Sequence, residues 1–258
     1  VVMSVYNHQE YVSDAIESII NQTMPNIEFI IVNDGSIDDS LKIIQKYKRL
    51  DSRIVVINQK NKGLTKSLNI AVRRSTGQYI ARQDADDTSA LNRFEKQLIA
   101  LKKYNLDIVT SRAIKGIKIT PNKFILNFNQ NDILKAGNIF IHGTFFLKRK
   151  VFDIQKYDEK YRYAQDFKFI LDAISNNFRI GYMVDPQYYL NNIESSISNT
   201  KGFEQDKYVS KALMSFFGTD KFSLFVNRRT KKFKNICKLM VIIYLFIRYK
   251  GKRFDIIK

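Results

Sequence analysis

The sequence contains one cysteine, Cys237, so it can form no intrachain disulfide and offers no cysteine cluster for zinc. A disulfide scaffold is excluded and a reducing compartment is expected. Proline is scarce, with three in 258 residues, and neither a Gly/Ser-rich linker nor an internal repeat interrupts the chain, which excludes low-complexity and disordered classes. Gly-x-Gly-x-x-Gly and the Gly-Lys-Ser/Thr of a phosphate loop are also missing, which disfavours a dehydrogenase and a P-loop enzyme. No basic leader precedes Val1 to Tyr6, which reads directly as a strand, so no signal peptide is expected. The apolar run Leu239 to Ile247 has nine residues, against about 20 for a bilayer-spanning helix.

What the chain does have is apolar residues, at 45%, and positive charge, at +18. The length suits one substantial domain with an appendage. The charge asks for an anionic partner: nucleic acid, a membrane surface or a phosphorylated substrate. It is concentrated at the end, where Lys221 to Lys258 holds twelve Lys/Arg against the single acidic Asp255.

Short apolar runs alternate with runs of three-to-four periodicity through the first hundred residues. Val1–Tyr6, Ile27–Val32, Ile54–Ile57 and Gln78–Ala81 read as buried strands, while His8–Asn21, the stretch around Leu41–Tyr47, Leu64–Val72 and Leu91–Tyr104 read as amphipathic helices. Strict alternation of this kind predicts a doubly wound α/β domain with a mostly parallel sheet covered on both faces. Further along, Ile108-Val109, Ile114–Ile119 and Phe124–Phe128 read as short extended segments, Ile139–Leu147 as a strand, Gln165–Ile174 as a helix and Thr230–Tyr249 as a last helix. The expected division is a catalytic domain over residues 1–195, with halves 1–104 and 105–195, and a helical, basic extension over 196–258.

Asp84, Asp86 and Asp87 close a predicted strand, and in open α/β sheets ligands bind beyond the carboxyl ends of the strands. Three carboxylates in four residues repel one another unless a hard cation such as Mg²⁺ or Mn²⁺, or solvent, screens them; an acidic turn capping the next helix is the alternative. Tyr6 and Asp34 end neighbouring predicted strands and converge on the same edge. An aromatic face, a carboxylate acceptor and a metal ligand are the parts that hold a nucleotide. Asn61-Lys62-Gly63-Leu64 opens a helix, whose amides with Lys62 or Lys66 could neutralise a diphosphate, although lysines on a solvated face account for the same residues.

Val5-Tyr6-Asn7 with Tyr11, Ile30–Ser36 (reading Ile-Ile-Val-Asn-Asp-Gly-Ser), Asn61-Lys62-Gly63 and Tyr79–Asp87 (reading Tyr-Ile-Ala-Arg-Gln-Asp-Ala-Asp-Asp) resemble, in order and spacing, the nucleotide-binding half of family 2 glycosyltransferases. Ser4 stands where many members carry proline, and Asn33 where many carry a first aspartate. The resemblance implies a GT-A fold and a UDP-sugar donor, with Tyr6 packing on the base, Asp34 accepting from the uracil ring, Asp84 approaching the ribose and Asp86 ligating Mn²⁺ or Mg²⁺ in a DXD motif. It also implies a downstream base. Tyr163-Ala164-Gln165-Asp166-Phe167 resembles the family's Glu-Asp segment, with Gln165 replacing the common glutamate, so Asp166 carries over as base, available at neutral pH through the helix dipole and only weakly basic. His142 and Tyr163 are candidates for contact with the acceptor, or His142 with a phosphate; core packing explains Tyr163 equally, and a hydrogen-bonded core position is the favoured account of His142.

The expected function is inverting transfer of a hexose from a UDP-sugar to a hydroxyl of a glycan, lipid-linked by expectation, in bacterial capsule or O-antigen synthesis. The basic C-terminal segment, with Lys231, Lys232, Lys234 and Lys238 before its apolar run and Arg248, Lys250, Lys252 and Arg253 after it, suits anionic headgroups, which places the enzyme in the cytoplasm against the inner face of the cell membrane. The rival readings are a nucleotidyltransferase acting on sugar phosphates, which lacks its Gly-rich loop here, and a non-enzymatic basic module for membrane or nucleic acid. The second leaves the acidic crevice unexplained, because carboxylates there repel phosphate, so no nucleic-acid partner is expected.

Overall fold

The computed structural model of the chain describes residues 1–121, 138–191, 202–217 and 255–257. Within the first half, strands β1 (Val2–Val5), β2 (Phe29–Asp34), β3 (Ile54–Gln59) and β4 (Tyr79–Asp84) alternate with helices α1 (Val12–Ile20), α2 (Ser40–Leu50) and α3 (Leu64–Arg74). These are the elements the apolar runs predict, with β2 and β4 extended far enough to include Asp34 and Asp84 as their last residues. After them come β5 (Thr88–Ser89), α4 (Arg93–Lys103), β6 (Ile108–Ser111), β7 (Ala113–Lys115), β8 (Lys118–Thr120), β9 (Phe146–Lys148), α5 (Arg149–Ile154), α6 (Gln165–Ser175), β10 (Ile180–Met183), β11 (Tyr188–Leu190), α7 (Gly202–Phe217) and β12 (Asp255–Ile257).

Eight of the described strands form one sheet in the order β12-β10-β6-β9-β4-β1-β2-β3, and a small sheet runs β5-β11-β7-β8. In the large sheet only β9 is antiparallel, against both β4 and β6. Because strand side chains alternate, each strand feeds two cores. Ile30 and Val32 pack with Leu68, Ala71, Ile170 and Leu171 on one face, and Phe29 and Ile31 with Ala15, Ile16, Ile19 and Ile44 on the other.

Two expectations change. Ile139–Leu147 is a strand only at its end, since His142–Thr144 forms a 3-10 turn before β9. Within the extension, expected to be helical, Asp255–Ile257 form strand β12, which pairs in parallel with β10. The predicted strand at 124–128 and helix at 230–249, and with them the basic cluster of the tail, lie outside the described residues. Among the described residues no helix is long and apolar enough to cross a membrane.

Candidate active site

Three loops at the carboxyl edge of the large sheet are laced together by main-chain donors. After β1, the amides of Asn7 and Gln9 donate to Ser36 Oγ (3.1 Å) and Asp38 Oδ2 (3.1 Å) in the loop after β2, and that of His8 to Ser40 Oγ (2.8 Å) at the start of α2. That loop in turn abuts the one after β3: a Cβ on Gly35, whose φ is +77°, would lie 2.6 Å from Asn61 N. Here only glycine allows both the left-handed turn and the contact. A cleft of about 550 Å³ opens beside them, lined by Asn33, Gly35, Ser36, Leu41 and Asn58–Asn61.

Asp34 is 2% exposed and spends both carboxylate oxygens on the protein. Oδ1 accepts from Gln59 Nε2 and Lys62 N, each at 2.8 Å, and Oδ2 from Gly63 N at 2.8 Å. It therefore caps the N-terminus of α3 from a distance in sequence, and Lys62 meets it through its amide, with its side chain exposed. Tyr6, just beyond β1, is 46% exposed and presents its ring to solvent at the same edge.

The next strand end carries the carboxylates. Asp84 Oδ1 accepts from Arg82 Nη2 at 2.6 Å, while its amide donates to Tyr188 Oη at 2.9 Å. Asp87 Oδ1 accepts from the Asn191 amide at 2.9 Å, and Asn191 Nδ2 donates to the Asp86 carbonyl at 2.5 Å. From inside, Gln83 Nε2 donates to the carbonyls of Asp84 (3.0 Å) and Asp87 (2.8 Å), which fixes the turn. Burial, followed by the charges of Asp84 and Asp86, pushes Asp87 up to about 8; burial and Asp84 likewise raise Asp86. Arg82 holds Asp84 low, while Asp86 and Asp87 are both raised, and a cation beside them would relieve that repulsion. Among the described residues no three His, Cys, Asp or Glu side chains form a metal site by themselves. One free carboxylate plus substrate phosphates is nevertheless the usual set for Mg²⁺, and among the described residues Asp86 is the member of the three whose carboxylate accepts from no other residue, so the residues fit such an ion.

The far wall comes from the second half. Asp166 lies in the first turn of α6, which Ala164 enters with φ +52°, a left-handed conformation that costs a non-glycine residue about 1–2 kcal/mol. Its Oδ2 accepts from Asn138 Nδ2 at 2.7 Å. Burial raises Asp166 above the usual carboxylate range, the Phe167 amide and Asn138 pull it back, and the Asp84 charge adds to the rise. Asp166 is thus a stronger base than a dipole-stabilised carboxylate alone would be, and it lies close enough to Asp84 to feel its charge. α3 is bolted to this wall: Asn69 Nδ2 donates to Tyr157 O (3.0 Å), Tyr157 N to Asn69 Oδ1 (3.1 Å) and Thr65 Oγ1 to Tyr161 O (3.1 Å).

His142 Nε2 sits 2.8 Å from Tyr157 Oη with its ring edge-on to Phe145. Burial, then the Arg82 charge, lowers it to about 3, so the ring is neutral and offers a hydrogen bond, not charge. Tyr163 meets Tyr208 of α7 edge-to-face, with ring centroids 5.7 Å apart. Residues that sequence reasoning passed over are Arg82, Gln83, Tyr188 and Asn191, which hold the carboxylate turn, and His8, whose charge bears on Asp84 and Asp86. His8 had a signal, being one of two histidines and following β1; the others had none.

Gly143 has a steric role in this wall, since a Cβ there would fall 2.2 Å from Tyr188 Oη. Gly143→Ala must push Tyr188 off the Asp84 amide. An overpacking cost of about 1–3 kcal/mol is expected, read as a fall of several degrees in melting temperature; an unchanged melt refutes the wedge.

Residues 1–155 match the family model described as glycosyl transferase family 2. An uncharacterized glycosyltransferase of Haemophilus influenzae is 34% identical over 186 residues, covering 66% of this chain and 58% of that protein, so the chain spans less than three fifths of that relative. Among solved structures, Staphylococcus aureus TarS in complex with UDP-GlcNAc aligns with a TM-score of 0.68 at 17% identity, over 87% of this chain and 69% of that one. The mannosyltransferase PcManGT from Pyrobaculum calidifontis, in complex with GDP-Man and Mn²⁺, aligns with a TM-score of 0.68 at 12% identity, over 97% of this chain and 75% of that one. At those identities the likeness is one of fold. A family match over more than half the sequence, and that fold, make the chain a member of glycosyl transferase family 2 with a GT-A architecture.

Proposed function

We propose that the chain transfers a hexose from a UDP-sugar to a hydroxyl of a glycan acceptor, with inversion at the anomeric carbon, in the assembly of a bacterial surface polysaccharide. The observation that carries this reading is that Asp166, a carboxylate of raised proton affinity, lies close enough to Asp84, at the donor edge of the sheet, to feel its charge. In this reading Tyr6 stacks on the base, Asp34 serves the uracil side, the Lys62 side chain serves the diphosphate side, and Asp84 accepts from the ribose. Asp86 would hold Mn²⁺ or Mg²⁺, which when bound supplies positive charge to the departing diphosphate. TarS with UDP-GlcNAc supports a UDP-sugar, and PcManGT with Mn²⁺ supports the metal.

Asp166 takes the acceptor hydroxyl's proton as the oxygen attacks opposite the leaving nucleotide, and a single displacement inverts configuration. His142, neutral beside Tyr157, and Tyr163 bound the acceptor side. The α3 clamp through Asn69 and Thr65 holds donor and acceptor walls at fixed separation, which is where orientation lowers the barrier. Incubating the protein with a panel of UDP-sugars and Mn²⁺ should release UDP with at least one donor; no turnover of any donor, together with no Mn²⁺-dependent UDP binding, defeats the reading.

Contact with the inner face of the membrane, and with it a cytoplasmic site for a lipid-linked acceptor, is proposed from the basic tail. The intact chain should pellet with vesicles containing phosphatidylglycerol and come off at about 1 M salt, where the Debye length falls to about 3 Å. Removing the tail is the poorer test, because Asp255–Ile257 belongs to the sheet. Equal recovery in the supernatant with and without vesicles discards membrane contact.

A further inference from the structure

Arg82 follows Ile80 on the face of β4 that packs against α3 and α6, and its side chain is 2% exposed. A position built only for packing would repeat the apolar choice, because a buried guanidinium stays charged and loses its hydration. Its main chain is secured independently of its charge: Arg82 N donates to Phe145 O at 2.8 Å, and Arg93 Nη2 donates to Arg82 O at 2.8 Å. The side chain forms one ion pair, Nη2 to Asp84 Oδ1 at 2.6 Å, and its Nε and Nη1 are buried with no hydrogen-bond partner.

Asp84 is consequently held at two points. Tyr188 Oη fixes its amide and Arg82 fixes one oxygen of its carboxylate, so among the described residues Oδ2 is left without a protein donor. We propose that Arg82 is a positioning residue for the donor: its ion pair with Oδ1 aims Oδ2 of Asp84 at a ribose hydroxyl of the nucleotide. The inference rests on the reading of Asp84 as the ribose contact. It adds why a buried arginine lies two residues before it, on the same face of the strand. Without that ion pair, the carboxylate is free to turn and its hydrogen bond to the ribose loses its preset geometry.

The test compares Mn²⁺-dependent binding of UDP and 2′,3′-dideoxy-UDP by calorimetry in wild type, Arg82→Lys, Arg82→Gln, Asp84→Asn and the Arg82→Lys/Asp84→Asn pair. Wild type should prefer UDP by about tenfold or more, the scale of a hydrogen bond to a charged group. Arg82→Lys and Arg82→Gln should each narrow that preference to within about threefold while retaining affinity for the dideoxy analogue, which also certifies the fold. In the pair, Arg82→Lys should add nothing to the loss caused by Asp84→Asn. Full wild-type preference in either Arg82 variant, or additive losses in the pair, overturns the positioning role. Wild type that binds both nucleotides equally overturns the ribose reading of Asp84, and the proposal with it.

Discussion

Asp166→Asn should cut turnover by about 10²–10⁴-fold and leave the affinity for UDP within about twofold, because a general base acts in the transition state and an amide keeps its shape without its proton affinity. Asp166 is placed for that separation of effects. Its neighbours are Asn138, the Phe167 amide and the Asp84 charge, none of them among the residues that would hold the base or the diphosphate. Its protonation also sets a pH dependence with a definite sign. Burial raises its pKa, so the fraction ionised, and with it kcat/KM, climbs as pH increases through a midpoint above the usual carboxylate value of about 4, then levels off. Asn138 donates to the ionised form; Asn138→Ala removes that preference and should move the midpoint to higher pH. A normal rate in Asp166→Asn, or an acid limb that Asn138→Ala leaves in place, would remove Asp166 from the role of base.

The donor half of this site was legible in the sequence because its determinants are local. Continuous apolar runs at the strand positions and Leu68, Ala71 and Val72 at helical spacing specify β-α-β units, and the strand ends then bring Tyr6, Asp34 and Asp84 to one edge whatever the remainder does. The other half is specified by contacts distant in sequence. Ile139–Leu147 is apolar enough for a strand, yet Gly143 must turn there to clear Tyr188, which lies 45 positions further on. Arg82 reads as a solvated charge in any local pattern; only residues distant in sequence, Tyr157 and His142 among them, close over that face of β4. Asp34 shows the same limit from the opposite side. Its strand-end position was readable, but its use as a cap for α3 depends on the loop after β3 folding back onto it.

Asp86→Ala should abolish the Mn²⁺-dependent part of UDP binding and most of the activity without weakening the fold. Asp84 and Asp87 each commit an oxygen to the protein, to Arg82 and to the Asn191 amide, whereas among the described residues no other residue donates to the Asp86 carboxylate. Removing it deletes a charge that Asp84 repels and no side-chain hydrogen bond, so the melting temperature of the variant alone should equal or exceed that of wild type. The difference should emerge on adding ligands. Wild type at UDP and Mn²⁺ concentrations about 100-fold above Kd gains about 2.7 kcal/mol, a rise on the order of 5–10 °C for a domain of this size. Asp86→Ala should gain almost none of that rise, and chelation should bring wild type down to the same value. An equal shift in both proteins would mean that the cation, if bound at all, is held elsewhere, and that the turn from Asp84 to Asp87 serves α4 as an acidic cap.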